Sequence, residues 1–154
     1  MNAGLRSARG FTMVELVTVM VLIGVLAAIG VPRLIGDNGF AAATFGDEVA
    51  SALRSAQKTA MARRRLACAV TGGQAVNLGL ASAPRAAGCD ITLGAASTGA
   101  AGVAVSSHTM YFQPNGAITS DAAGRNPLRG SIVISLHGQA RRSIAFEGST
   151  GHVQ

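Results

Sequence analysis

The chain has 154 residues, enough for one compact domain and gaining nothing from division into two. It is 49% hydrophobic with a mean hydropathy of +0.37, high for a soluble domain, and much of the excess lies in the first 35 residues, which implies a membrane element followed by a more ordinary remainder. A net charge of +6 is a mild basic bias, compatible with nucleic acid or acidic surfaces and requiring neither.

The first element runs from Phe11 to Ile35 and is almost entirely apolar, with no charge between Glu15 and Arg33. As a helix it measures about 37 Å, enough to cross a hydrocarbon core of about 30 Å. Arg6 and Arg9 precede it, which keeps the short N-terminal side in the cytoplasm and places the rest of the chain across the membrane. Glu15 is the anomaly. An acidic residue costs about 2.5–3.5 kcal/mol at the centre of a membrane helix and less near an end, so Glu15 calls for a partner.

Three readings compete for this segment. A secretory signal peptide cut near "LAAIG" fits the basic start, but the apolar run exceeds the usual length of about 7–15 residues. A plain anchor explains the length and leaves Glu15 unpaired. The third is a leader junction at "RGFTMVEL". The stretch "GFTMVELVTVMVLIGVLAAIGVPRL" resembles the class III leader and N-terminal helix shared by type IV pilins and type II secretion pseudopilins, through Gly10, Phe11, Thr12, Glu15, Leu16 and Pro32.

That resemblance implies a leader over residues 1–10, a transmembrane and assembly helix over 11–35 and an exported domain over 36–154. A prepilin peptidase would cut between Gly10 and Phe11 and methylate the new Phe11 amine. In a filament of staggered helices, the Phe11 amine of one subunit would pair with Glu15 of another and set the assembly register. Pro32 lacks a backbone donor, and with Gly30 and Gly36 nearby a weakened helical stretch is expected over 30–39; the alternative is that Pro32 ends the membrane helix.

After "GDNG" a second helix is expected at about 40–66. Val49, Ala52, Leu53, Ala56 and Ala60 share one face, and Arg54, Lys58 and Arg65 fall on another. The run Arg63 to Arg65 suits a helix C-terminus, where cations complement the macrodipole. Beyond it the pattern turns to short strands, expected at 66–71, 75–80, 89–93, 109–113, 131–136 and 141–147. Asn115-Gly116 marks a turn, and "HGQ" at 137–139 joins the last two strands in a hairpin. Residues 94–107 read as a low-complexity flexible loop around a short extended piece.

These elements imply an α+β fold, an amphipathic helix packed on an antiparallel sheet. The same arrangement resembles the type IV pilin fold, with the long N-terminal helix continuing into the packed one. The segments "ASALRSAQKTAMARRR" and "MYFQPNGAIT" and the closing hairpin resemble, more narrowly, the GspH/FimT group. The end "RRSIAFEGSTGHVQ" looks most like minor pilins of the mannose-sensitive haemagglutinin kind. Cys68 and Cys89, if exported, form one disulfide by default, closing a loop worth roughly 3 kcal/mol; the alternative is two buried thiols.

No nucleophile motif, useful carboxylate pair or phosphate loop appears, and two Cys with His108, His137 and His152 scattered suggest no metal site; an enzyme is not expected, nor a cofactor. The implied function is a minor pilin that enters a type IV pilus by its N-terminal helix, primes assembly or sits at the tip, and has other pilins and the inner membrane as partners. A type II secretion pseudopilin of the GspH type is the first alternative. The second is a DNA-binding minor pilin for DNA uptake, because the FimT branch includes members that bind DNA through a Gly-Arg-x-Arg type motif. The nearest segments here, "GRNPLRG" and "GQARR", do not reproduce that spacing. Arg125, Arg129, Arg141 and Arg142 are the candidate phosphate contacts, set against a plainer reading as dispersed solvated arginines.

Overall fold

The structure, a computed structural model, describes residues 11–35 and 38–154, without the side chains of 31–35. The chain divides into two units, Met1–Asp37 and Asn38–Gln154. In the first, helix α1 spans Met13–Ile35, and every residue from 11 to 29 is exposed. Its window Met13–Gly30 has a mean hydropathy of 2.4 and buries nothing within the chain. The helix runs across Pro32 to Ile35, so Pro32 does not end it, and the weakening expected over 30–39 does not start at the proline. One lost hydrogen bond is tolerated because the remaining backbone groups gain nothing by opening in apolar surroundings. Gly36 lies outside the described residues.

In the second unit, helix α2 (Gly39–Arg63) buries Ala42, Phe45, Gly46, Val49, Ala50, Leu53, Ala56 and Ala60 on one stripe. Ala52, expected on that face, is half-buried at its margin. Small residues fill much of this stripe, so the helix backbone sits close to the sheet. The helix stops three residues short of the expected 66. Arg64 turns left-handed (φ 52°), its amide bonds the Met61 carbonyl at 3.3 Å, and the Arg65 amide bonds that of Ala60 at 3.1 Å. That is the usual way of satisfying the last carbonyls, here with arginine where glycine is commoner.

The strands are β1 (Ala67–Gly73), β2 (Ala75–Leu80), β3 (Ile91–Ser97), β4 (Val103–Phe112), β5 (Ile118–Thr119), β6 (Arg129–Leu136), β7 (Gln139–Glu147) and β8 (His152–Val153). They form one antiparallel sheet in the order β3-β2-β1-β4-β6-β7-β8, with β5 added to β4. One core lies between α2 and the sheet, with Leu53, Phe112, Ile118, Ile132 and Ile134 fully enclosed.

The flexible loop expected at 94–107 is mostly strand. β3 continues to Ser97 and β4 begins at Val103, leaving only residues 98–102 between them. Gln74 holds this short loop: its side-chain amide donates to the carbonyls of Ala100 and Val103 at 3.0 and 3.2 Å, and its own carbonyl accepts the Thr98 amide at 3.0 Å. Backbone pairing of small residues with β2 supplies the order that hydropathy does not reveal.

A bulge in β4 changes the buried parity, from Val103 and Val105 to Met110 and Phe112. The register slips between Thr71↔His108 and Gly73↔Val105. Buried Thr71 repairs the gap: its hydroxyl donates to the Ser106 carbonyl at 2.7 Å and accepts the His108 amide at 3.0 Å. The Ser106 hydroxyl then accepts the Val133 amide at 3.0 Å, where β4 and β6 no longer pair.

Candidate functional site

Of the N-terminal candidates, Glu15 and Pro32 lie on α1 and Phe11 just ahead of it. Phe11 and Thr12 precede the helix and Glu15 stands in its first turn, favourable for a carboxylate at the positive end of the macrodipole. Glu15 is exposed, and among the described residues its carboxylate has no ion-pair partner. The Thr12 hydroxyl accepts the Glu15 amide at 3.2 Å, and the Thr18 hydroxyl donates to the Val14 carbonyl. Gly10 lies outside the described residues, as do the side chain of Pro32 and the rest of the leader.

Cys68 on β1 and Cys89 ahead of β3 are bonded, with 6.1 Å between their Cα atoms. Gly79 gives Cys89 its room, since a Cβ there would stand 2.9 Å from that of Cys89. The bond holds the segment 81–90 against the sheet together with two polar contacts. Arg65 donates to the Ser82 carbonyl at 2.6 Å, and the Ser82 amide donates to Asp90 at 2.7 Å. Hydrogen bonds from Ser82, aided by the Arg65 charge, hold the Asp90 carboxyl below the usual carboxylate range.

The four candidate arginines are not brought together. Arg129 pairs with Glu147 at 2.6 Å at one end of the β6–β7 hairpin, and Arg142 lies opposite Ile134 on β6, roughly 17 Å further along the strand. Arg142 bonds Asp47 of α2 at 2.7 Å and lays its stem over Gly46, where a Cβ would stand 2.6 Å from the arginine Cδ. Two of the four cations are thus already matched by carboxylates. Arg141 occupies the unpaired position of a β7 bulge, between Ala140↔Ser135 and Arg142↔Ile134. Arg125 is exposed, in a loop organised by Asp121, whose carboxylate accepts the amides of Arg125 at 2.9 Å and Asn126 at 3.1 Å. Those bonds, the Arg125 amide foremost, lower the Asp121 pKa; the Arg129 contact does the same for Glu147.

Sequence reasoning missed Gln57. Its side-chain amide donates to the carbonyls of Gly116 at 2.8 Å and Gly151 at 2.6 Å, tying α2 to two turns that are distant in sequence. Nothing local to "SAQKTA" signals this. Among the described residues no group of three His, Cys, Asp or Glu side chains is placed to hold a metal ion.

An apolar helix that buries nothing, followed by a domain of one long helix on an antiparallel sheet, defines a pilin-like α+β protein. Residues 5–31 match the family model of the prokaryotic N-terminal methylation motif. Two crystal forms of the Pseudomonas aeruginosa type IV minor pilin FimU share the fold. The TM-scores are 0.54 and 0.52 at 15% and 13% identity, covering 72% of this chain and 84% and 89% of FimU. No curated protein matches the chain in sequence. The chain thus carries the N-terminal methylation motif ahead of a domain with the fold of a type IV pilin.

Proposed function

We propose that this chain is a minor pilin that enters a type IV pilus by α1 and there primes assembly or occupies the tip. The observation that carries the reading is the presence, in one chain, of the methylation motif over 5–31, an apolar helical stretch Met13–Gly30 that buries nothing within the chain, and a pilin-like domain. In this reading residues 1–10 are a leader, removed between Gly10 and Phe11 by a prepilin peptidase that also methylates the Phe11 amine. Residues 11–35 anchor the subunit in the inner membrane with its N-terminus cytoplasmic, and 36–154 is the exported domain.

Glu15 and the Phe11 amine are each unfavourable in lipid and satisfy each other between neighbouring subunits, so the pair forms only on assembly. A Glu15→Ala precursor should therefore be cleaved and exported but excluded from filaments; normal incorporation would sink that role. The exported domain 38–154, which contains the whole core and the disulfide, tests the function as a whole. It should bind saturably to a minor pilin encoded beside it and not to duplex DNA in the same assay, the partner's identity separating a pilus from a secretion pseudopilus. Salt-sensitive DNA binding with no pilin partner would overturn the reading in favour of DNA uptake.

A further inference from the structure

Among the described residues, three other than glycine have a left-handed backbone: Arg64 (φ 52°), Arg85 (φ 66°) and His137 (φ 50°). His137 opens the two-residue turn of the β6–β7 hairpin, where such angles are usual. Arg64 and Arg85 each stand where glycine is the ordinary residue. Arg64 closes α2 in the left-handed position. Arg85 follows Pro84 in a turn closed by the Ala86 amide on the Ala83 carbonyl at 3.3 Å, and a positive φ after proline is the type II arrangement, which favours glycine or asparagine. Two separate turns thus carry an arginine against the preference of the backbone.

Both arginines line one cavity of about 530 Å³, within the range of about 300–1,000 Å³ common for ligand sites. Most of its other walls are apolar, formed by residues such as Leu66, Pro84, Ala87 and Pro114. These walls are held in place from two sides. The segment 81–90 is tied down by the Cys68–Cys89 bond, by the Ala81 amide on the Leu66 carbonyl at 2.8 Å and by the Arg65 contact to Ser82. Opposite, the Gln113 side-chain amide donates to the Thr119 hydroxyl at 2.9 Å and to the Asp121 and Ala122 carbonyls at 3.3 Å. The carboxylates of these two loops are turned to their own backbone, Asp90 to the Ser82 amide and Asp121 to those of Arg125 and Asn126. Among the described residues neither Arg64 nor Arg85 forms an ion pair.

We propose that this cavity docks an extended acidic segment of another protein, whose carboxylates meet Arg64 and Arg85 while small apolar side chains lie against the proline and alanine walls. Two guanidinium forks without a carboxylate of their own match carboxylate oxygens in charge and geometry. A nucleic-acid strand carries a phosphate at every nucleotide and is held along a charged groove, whereas only two cations line this cavity. The partner need not be a pilin, so the site stands or falls apart from the function proposed above.

An arginine kept where the backbone favours glycine allows binding to be separated from stability. The test follows amide shifts of the isotope-labelled full chain in non-ionic detergent on addition of acetyl-Ala-Pro-Glu-Val-Glu-Pro-Ala-amide, whose two glutamates share one side of an extended chain. Saturable shifts should centre on Leu66, Arg85, Ala86 and Gln113. Arg64→Gly and Arg85→Gly should each weaken binding roughly tenfold and together abolish it, while neither lowers the urea midpoint. The peptide with glutamine for both glutamates should not bind. Binding that survives in the double variant, or that the glutamine peptide shares, would overturn the proposal, as would shifts centred elsewhere or no saturable shift with millimolar peptide. A lowered midpoint in either glycine variant would make that arginine part of the fold and overturn it too. A short single-stranded oligonucleotide that saturates the same amides more tightly than the peptide, at about 0.15 M salt, would assign the cavity to phosphate instead.

Discussion

The two helices have nearly the same length, 23 residues in α1 and 25 in α2, and opposite relations to the chain that carries them. In α2 eight residues are buried, several of them Ala or Gly, and a narrow apolar stripe suffices because the sheet covers it. In α1 large apolar side chains such as Leu22, Ile23 and Leu26 are exposed, as is every residue from 11 to 29. A helix that is apolar all round is stable where lipid or other helices surround it. One region buries its apolar face within the chain; the other leaves its described residues exposed.

The sharpest way to break that comparison is one chemical change made in both helices. Leu53 is fully enclosed, so Leu53→Ala should destabilise the domain by about 2–5 kcal/mol through lost transfer energy and a residual cavity. Leu22 is exposed, so Leu22→Ala should leave the domain's urea midpoint unchanged within about 0.5 kcal/mol. Both are read by denaturant unfolding of the full chain in detergent. Equal losses would mean that α1 belongs to the folded domain after all. Next in size, replacing both cysteines by serine should cost roughly 3 kcal/mol, the chain-entropy value for a loop of this length, with α1 still extracted with the membrane.

The legible parts were those where one pattern holds without interruption. In β2, Val76, Leu78 and Leu80 alternate cleanly and the strand falls on the expected 75–80; Ile132, Ile134 and Leu136 mark β6 in the same way, although the strand starts at Arg129, two residues ahead of the expected 131. β4 hid half its length because its buried residues change parity at Ser106–Ser107, so no single period-two pattern spans it. β5 and β8 have two residues each and no period at all. The end of α2 was overrun because "RRR" reads as one helical surface, whereas Arg64 is left-handed. In the candidate site, Glu15 stood out as a lone charge in an apolar run. The matching of Arg129 by Glu147 and of Arg142 by Asp47 is long-range, and no local signal carries it.

A smaller effect isolates the repair of that parity change. Thr71→Val keeps the shape of the side chain but leaves the His108 amide and the Ser106 carbonyl without its hydroxyl. Each buried group so orphaned costs about 1–3 kcal/mol at most, and local water entry reduces it. The loss should appear in the urea midpoint, with amide exchange at His108 accelerated and α1 untouched. Unchanged exchange at His108 would mean that the bulge is held by the sheet alone.

The smallest expected effect depends on pH and is confined to the same domain. Asp90, Asp121 and Glu147 all have folded pKa values below their ordinary ones, held there chiefly by Ser82, the Arg125 amide and Arg129 respectively. A depressed folded pKa means that the unfolded chain binds the proton first. The stabilisation is therefore fully present above the unfolded values, about 3.9 for Asp and 4.3 for Glu, and is lost as pH falls through the lower folded ones. The urea midpoint of the domain should be flat from neutral pH down to about 5 and decline below about 4. Asp121→Asn should lower the midpoint at neutral pH and decline less steeply in acid, because the variant has no carboxylate there to protonate. Added salt should weaken the Arg129–Glu147 share, since both groups meet solvent. An acid decline as steep in Asp121→Asn as in the wild type would assign the acid sensitivity to the other carboxylates and leave Asp121 a turn-former whose charge does not matter.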